Sequence, residues 1–286
     1  MLVESGDEVL RRHLETWAVD LVGEVWSTRS SCLARVRSRA DGTLAVLKVP
    51  LVEEERVGSR VLDWWSGDGA APVLAIDHEG VLIEHADAPD TTLAELARCA
   101  SPPGWSSDLR ATQTLVEVAQ RLHRHPQLDP PAGVVPLRQW FRDLFTAADQ
   151  VGGFFARAAA VADELLDDQR DVRVLHGDVH HDNVLWFGAE RGWLAIDPKG
   201  LHGEATFDYA NILTNPDRRT MLRPGRFHQQ ANLIATATGV PHDRLLRWTF
   251  AWTGLSAAWY QTPQLSGAGN VLQVGFMAEQ ALGLTP

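Results

Sequence analysis

The chain holds almost no lysine and almost no cysteine. Of its 26 basic residues only Lys48 and Lys199 are lysines, so a sequence that otherwise writes arginine has kept lysine at two places. The two cysteines, Cys32 and Cys99, form neither a C-x-x-C pair nor a disulfide framework, which fits a reducing compartment. No apolar run approaches the length of a membrane span, and the first residues contain no apolar signal core. A cytoplasmic protein without a membrane partner is expected. Basic charge is in deficit as well: the formal net charge is −11 over 286 residues. That disfavours nucleic acid as a partner, whereas an acidic cleft would attract a cationic small-molecule substrate. Composition says nothing about oligomeric state.

Three phosphate and nucleophile motifs are missing too. There is no G-x-x-x-x-G-K-[ST], which excludes a Walker-type phosphate loop. No G-x-S-x-G exists, which removes the usual serine hydrolase. No G-x-G-x-x-G precedes Lys48. Its place is taken by Ser27-Thr28-Arg29-Ser30-Ser31, whose backbone N–H groups and hydroxyls, those of Ser30 and Ser31 above all, would cover phosphates; an ordinary polar turn is the plainer reading.

What is present centres on residues 174–198, VLHGDVHHDNVLWFGAERGWLAIDP. A short apolar run breaks into a polar loop with His176, Asp178, His180, His181, Asp182 and Asn183. Two apolar runs, Val184–Phe187 and Trp193–Ile196, then form a hairpin around a Gly-bounded loop, and Asp197 stands where the second run ends. Asn183 follows Asp178 by five positions, the D-x-x-x-x-N spacing of a kinase catalytic loop. There the Asp accepts the proton of the attacking hydroxyl, the Asn holds Mg²⁺, and a second metal-holding Asp comes from another strand end. Asp197 suits that second role. Two rival readings exist. Asp and Asn in loops commonly serve turns and helix caps. The histidines with Asp178 and Asp182 would also interest zinc, although no second His-dense cluster supplies further ligands for a hydrolytic site.

The string H-G-D-V-H-H-D-N-V-L followed by I-D-P resembles the aminoglycoside phosphotransferase branch of the kinase-like fold, with H-G-D for H-R-D and I-D for D-F-G. The longer GWLAIDPKGLHGEATFDYANIL is similar to the streptomycin 6-kinase and hydroxyurea phosphotransferase family. The clear match covers residues 174–216, and a weaker one runs from about residue 26 onward. The resemblance implies an α+β, protein-kinase-like fold of two lobes. A small β-rich nucleotide-binding lobe would span residues 1–87, and a larger, mostly helical lobe with catalysis and substrate binding residues 88–286. It implies ATP and Mg²⁺, transfer of the γ-phosphoryl group to a hydroxyl, and streptomycin, at its 6-hydroxyl, as acceptor. Hydroxyurea or a metabolite alcohol remains open on the same machinery. A non-catalytic binding protein on this scaffold would lack a base or a metal ligand, and none is missing.

Read in order, residues 7–18 carry apolar positions at helical spacing, and residues 22–49 read as strands with a hairpin turn at Ala40-Asp41-Gly42. Lys48 shares a strand face with Leu44 and Val46, where a buried ammonium needs a partner. As the phosphate clamp it would be held by an acid of the helix Val52–Trp65. Glu54 lies along one helical row with Gly58, Val61 and Trp65, while Glu55 aligns with Ser59 and Leu62. Periodicity favours Glu54; likeness to the family favours Glu55. The hairpin Val73–His85 leads to a hinge where backbone groups near Glu84 and Ala86 would meet the adenine edge. Thr92-Leu93-Ala94-Glu95 has the form of a capping box.

The rest is expected to be helical, with helices near residues 109–123, 137–148, 154–168, 225–238, 242–261 and 272–282. His123 reads as a helix C-terminal residue suited to the dipole. Asp208 reads as a cap or an anchor for the catalytic loop, with substrate contact as the alternative. Trp248, Trp252 and Trp259 read as core. In the related enzymes the C-terminal bundle walls the acceptor site, so Glu204, Asp208, Asp217 and Glu279 are candidates for facing a cationic substrate.

Overall fold

The computed structural model describes residues 5–65, 67–99, 104–126, 129–260 and 268–284. The first helix, α1 (Gly6–Thr16), starts with a capping box: Ser5 accepts from the Glu8 N–H and Glu8 reaches back to Ser5. It packs Val9 and Leu10 against a five-stranded antiparallel sheet made from β1 (Val19–Ser27), β2 (Ser31–Ser38), β3 (Leu44–Pro50), β4 (Val73–Ile76) and β5 (Val81–Glu84). The strand order is β1-β2-β3-β5-β4. Val36, Leu47 and Leu82 close that first core beneath α1. The β2–β3 turn is the expected one, with Gly42 at φ +77°.

Between β3 and β4 lies α2 (Glu53–Trp64). Its Val57, Val61 and Leu62 join the core of the large lobe rather than that of the sheet. After β5 the chain passes to α3 (Leu93–Arg98), opened by the predicted Thr92–Glu95 capping box, and α4 (Gly104–Arg124). Next come β6 (Val135–Pro136), α5 (Leu137–Trp140), α6 (Arg142–Val151) and α7 (Gly153–Asp167). The single helix expected over 137–148 is thus broken at Phe141, whose ring is fully buried.

The catalytic segment contributes β7 (Val172–Leu175), β8 (Val184–Trp186), a one-turn α8 (Gly188–Arg191), β9 (Trp193–Ala195) and β10 (Leu201–Glu204). Strands β8 and β9 form the predicted antiparallel hairpin, with Leu185 opposite Leu194. β10 pairs antiparallel with β7 and parallel with β6. The chain ends in α9 (Phe207–Ala210), a 3₁₀ turn (Asn211–Thr214), α10 (Arg218–Met221), α11 (Arg226–Thr238), α12 (His242–Trp259) and α13 (Ala268–Ala281). Gln261, placed by the sequence reading in the α12 segment, lies outside the described residues. α12 is buried nearly all round, as a helix at the centre of a bundle must be. Among the described residues no helix is long and apolar enough to cross a membrane.

Candidate active site

The loop after β7 is pinned from below by one buried carboxylate. Asp208, at the start of α9, accepts from the His176 N–H at 3.0 Å and the Gly177 N–H at 2.7 Å. His123 Nε2–H donates at 2.8 Å to the same Oδ2 that accepts from His176, and its second ring nitrogen meets the Tyr209 hydroxyl. Asp208 is therefore the loop's anchor and not a substrate contact, and His123 serves it rather than a helix dipole. Gly177 turns at φ +81°, where a Cβ would come within 2.7 Å of Leu201.

His176 braces the loop from within. Its Nε2–H donates to the Ile196 carbonyl at 2.8 Å, which leaves Nδ1 to accept from the Asp178 N–H at 3.2 Å. Those partners require the neutral ring. Burial lowers its pKa, against the pull of Asp208 and Asp178.

Asp178 is held at both oxygens. Asn211 Nδ2 donates to Oδ1 at 2.8 Å, and Asn183 Nδ2 donates to Oδ2 at 3.2 Å and to the Asp178 carbonyl at 3.0 Å. Burial alone would raise its pKa, but His180, Lys199 and His176 outweigh that and hold it below the ordinary value. It is a carboxylate at neutral pH. Asn211 went unsingled in the sequence because nothing in one sequence separates it from any other asparagine near a helix end.

Asp197 follows β9 in the left-handed region at φ +58°, a conformation that costs about 1–3 kcal/mol and turns the carboxylate out of the strand. Burial opposes its charge, yet Lys48 and Lys199 bring its pKa down to about 2. Lys48 on β3 closes on both Asp197 and Glu55. Glu55 also accepts from the Ser30 hydroxyl at 3.0 Å. The partner of Lys48 is thus Glu55. Glu54 instead faces Lys199, 3.9 Å away. Periodicity favoured Glu54 wrongly because the buried arc of α2 spans both rows, Glu55-Ser59-Leu62 and Gly58-Val61. One row looks at β3. The other lies on the segment after β9, where a Cβ on Gly58 would stand 2.1 Å from the Pro198 carbonyl oxygen.

These residues face a cleft of about 360 Å³ between the lobes. Leu33, Val46 and Ile83 roof it from the sheet, and Leu185, Phe187 and Ile196 floor it. Lys48, Asn183 and Asp197 stand at its inner end. Two flat apolar faces with charged groups at one end suit a purine with its phosphates. At the hinge, the Glu84 and His85 N–H groups are already bonded to Pro72 and Leu44, and the Glu84 side chain pairs with Arg191. The Ala86 N–H has no partner among the described residues. In the β1–β2 turn the Ser30 and Ser31 N–H groups are taken by Thr28 Oγ1 and do not cover phosphates. The Ser31 hydroxyl is buried and has no partner among the described residues.

A second cavity of about 340 Å³ is lined by Gly177 and Asp178 and shares Lys199 with the first. Trp140, Trp252 and Trp259 wall it, with Glu54, Asp143, Arg142 and Lys199 at its rim. The Trp259 Nε1–H donates to Asp143 at 3.0 Å. Trp252 and Trp259 are thus wall as well as core, whereas Trp248 is core alone. The acidic residues put forward for substrate lie elsewhere. Glu204 is buried against Arg244 and the Arg170 N–H. Asp217 caps α10 and pairs with Arg98 at 2.8 Å. Glu279 is buried against Arg157. Each was picked for its charge, and each spends that charge on a buried or capping arginine contact.

The histidines do not converge. His176 serves the loop, His180 lies 3.7 Å from Asp178, and His181 is buried apart. Among the described residues no three His, Cys, Asp or Glu side chains are gathered as a metal site of the zinc kind.

Comparison with known proteins agrees with this geometry. Residues 16–263 match the model of the aminoglycoside/hydroxyurea antibiotic resistance kinase family. Streptomycin 3''-kinase of Klebsiella pneumoniae is 45% identical over 254 residues, covering 86% of this chain and 90% of that protein. Streptomycin 6-kinase of Streptomyces griseus is 31% identical over 265 residues, covering 85% and 79%. The crystal structure of the aminoglycoside phosphotransferase APH(4)-Ia superposes with a TM-score of 0.58 at 15% identity, over 98% of both chains. That likeness gives the fold, which is protein-kinase-like. With a family match across most of its length and a relative at 45% identity, the chain belongs to the aminoglycoside/hydroxyurea antibiotic resistance kinases, phosphotransferases that act on a hydroxyl group.

Proposed function

We propose that this chain transfers the γ-phosphoryl group of ATP to a hydroxyl of streptomycin. The carrying observation is that Asp178 lines an aromatic cavity and hydrogen-bonds Asn183, which lines a separate cleft shaped for a nucleotide. Each Asp178 oxygen accepts one hydrogen bond and keeps a lone pair, so either can take the proton of an acceptor hydroxyl. The hydroxyl oxygen attacks the γ-phosphorus in line, the bond to the bridging oxygen breaks, and ADP departs with that electron pair. Lys48, fixed by Glu55, would hold the nucleotide phosphates, and Asn183 and Asp197 would hold the metal ion. Their donor set fits Mg²⁺: hard oxygens, one from a carboxylate charged at any ordinary pH and one from an amide whose nitrogen is engaged by Asp178. When bound, the ion would offset negative charge on the phosphate oxygens.

The second cavity supports a guanidinylated acceptor. Indole faces attract a flat cation, and Glu54 and Asp143 supply opposite charge. Hydroxyurea would leave most of about 340 Å³ unfilled. Identity of 45% to a 3''-kinase, against 31% to a 6-kinase, supports the 3''-hydroxyl over the 6-hydroxyl as the site modified. The test is ADP release with Mg²⁺-ATP and streptomycin, kanamycin or hydroxyurea, followed by phosphorus NMR of the product. Streptomycin alone should stimulate release, and the product should carry phosphate at the 3'' position. Asp178→Asn should lower kcat by about 10²–10⁴. Stimulation by kanamycin or hydroxyurea instead would sink the acceptor assignment.

A further inference from the structure

Lys199 is the second of two lysines, and the steps above leave it without a task. Its side chain stands on the wall common to both cavities, beside Lys48 and Asp197 on one side and Asp178 on the other. It is 18% exposed, with Nζ 3.5 Å from Glu55, 3.6 Å from Asp197 and 3.9 Å from Glu54. All three distances exceed an ordinary N–H···O hydrogen bond. The ammonium is held by charge while its donors stay uncommitted, in contrast to Lys48, which closes tightly on two carboxylates. Its root is fixed by the catalytic loop: the Lys199 N–H donates to the His176 carbonyl at 2.7 Å.

We infer that Lys199 is a further catalytic residue, whose ammonium contacts the phosphoryl group as it passes between the two cavities. This rests on the kinase reading above. During transfer one P–O bond forms as the other breaks, the acceptor proton goes to Asp178, and negative charge is carried by the three equatorial oxygens. A donor free beforehand and engaged only then stabilises the transition state without tightening the ground state. A compact point charge serves that purpose without needing a fixed two-pronged geometry.

The experiment compares wild type with Lys199→Met and Lys199→Arg. It measures kcat and KM for ATP and streptomycin, and the binding of ADP alone and of ADP with aluminium fluoride, a mimic of the phosphoryl group in flight, by tryptophan fluorescence. Lys199→Met should lower kcat by about 10²–10³, as loss of one such donor does. Both KM values and ADP affinity should stay within about threefold, because the contact is absent in the ground state. Affinity for ADP with aluminium fluoride should fall in parallel with kcat, and Lys199→Arg should recover part of both. Retained kcat in Lys199→Met would overturn the inference. So would a fall in kcat matched by an equal loss of ADP affinity, the mark of a merely structural lysine. If Lys199→Met does not fold, Lys199→Gln carries the same comparison. Should wild type not turn over streptomycin, the acceptor reading fails by itself, and the aluminium fluoride ratio still decides the role of Lys199.

Discussion

Lys48 and Glu55 are both less than one-tenth exposed, so each needs the other to stay charged in the cleft. Removing one partner of such a pair leaves a buried charge uncompensated. Glu55→Gln should therefore cost about 3 kcal/mol, the lower end for a broken buried pair because Asp197 still holds Lys48. Glu54→Gln, on a side chain 42% exposed, should cost well under 1 kcal/mol. Chemical denaturation of the two variants checks the ranking, and the reverse order would return the clamp to Glu54. Asn211 acts through Asp178, to which it donates at 2.8 Å. Asn211→Ala removes a hydrogen bond to a charged group, about 1.5–3 kcal/mol, and should lower kcat by about 10–100-fold with KM for ATP unchanged. Steady-state kinetics decides it; an unchanged kcat would make Asn211 incidental.

At the scale of elements, α2 carries Glu55 yet packs Val57, Val61 and Leu62 into the core of the large lobe. The helix that carries Glu55 is therefore fixed to the lobe that carries Asp178, Asn183 and Asp197. Gly58 permits this by letting α2 lie on Pro198. Gly58→Ala should push the two apart, costing about 1–3 kcal/mol as overpacking does, and should raise KM for ATP because Glu55 moves with the helix. Melting and kinetics on one preparation test both effects, and a gain in stability from the alanine would show that the contact gives way. The β8–β9 hairpin and the Asp178–Asn183 spacing were readable because strand alternation and turn chemistry are local. Asp208 was legible as a cap or loop anchor, but its partners His176 and Gly177, and the pairing of Glu204 with Arg244, were not. Those partners lie 31 to 40 residues away, and charge alone does not say which carboxylate faces water.

For the whole molecule, acid lowers stability in two successive pH windows. His176 and His181 are buried with pKa values below 6.5, and the ring nitrogens of His181 find no partner among the described residues. As pH falls below 6.5 the unfolded chain takes up protons that the folded one refuses, so stability falls by up to about 1.4 kcal/mol per pH unit for each histidine. Asp197 has the same sign in a lower pH window. Its folded pKa of about 2 lies below the ordinary 3.8, so its contribution is full above 3.8 and is lost as pH falls through about 2. Thermal melts from pH 8 to 5 should show Tm declining below about pH 6.5. His181→Leu should flatten that decline, and an unchanged slope would place the proton uptake elsewhere.

The sequence by itself determined the reaction. Asp178, Asn183 and Asp197 sit on one strand–loop–hairpin unit, and such a unit carries its own geometry wherever it folds. It also announced the Thr92–Glu95 capping box, the hairpin turns and the two retained lysines. Only the tertiary structure decided which glutamate serves Lys48 and which acids are spent on arginines. It alone made Trp140, Trp252 and Trp259, from α5 and α12, the wall of one cavity. Those choices depend on how faces far apart in the chain meet, and a periodic pattern records that a face is buried without recording against what.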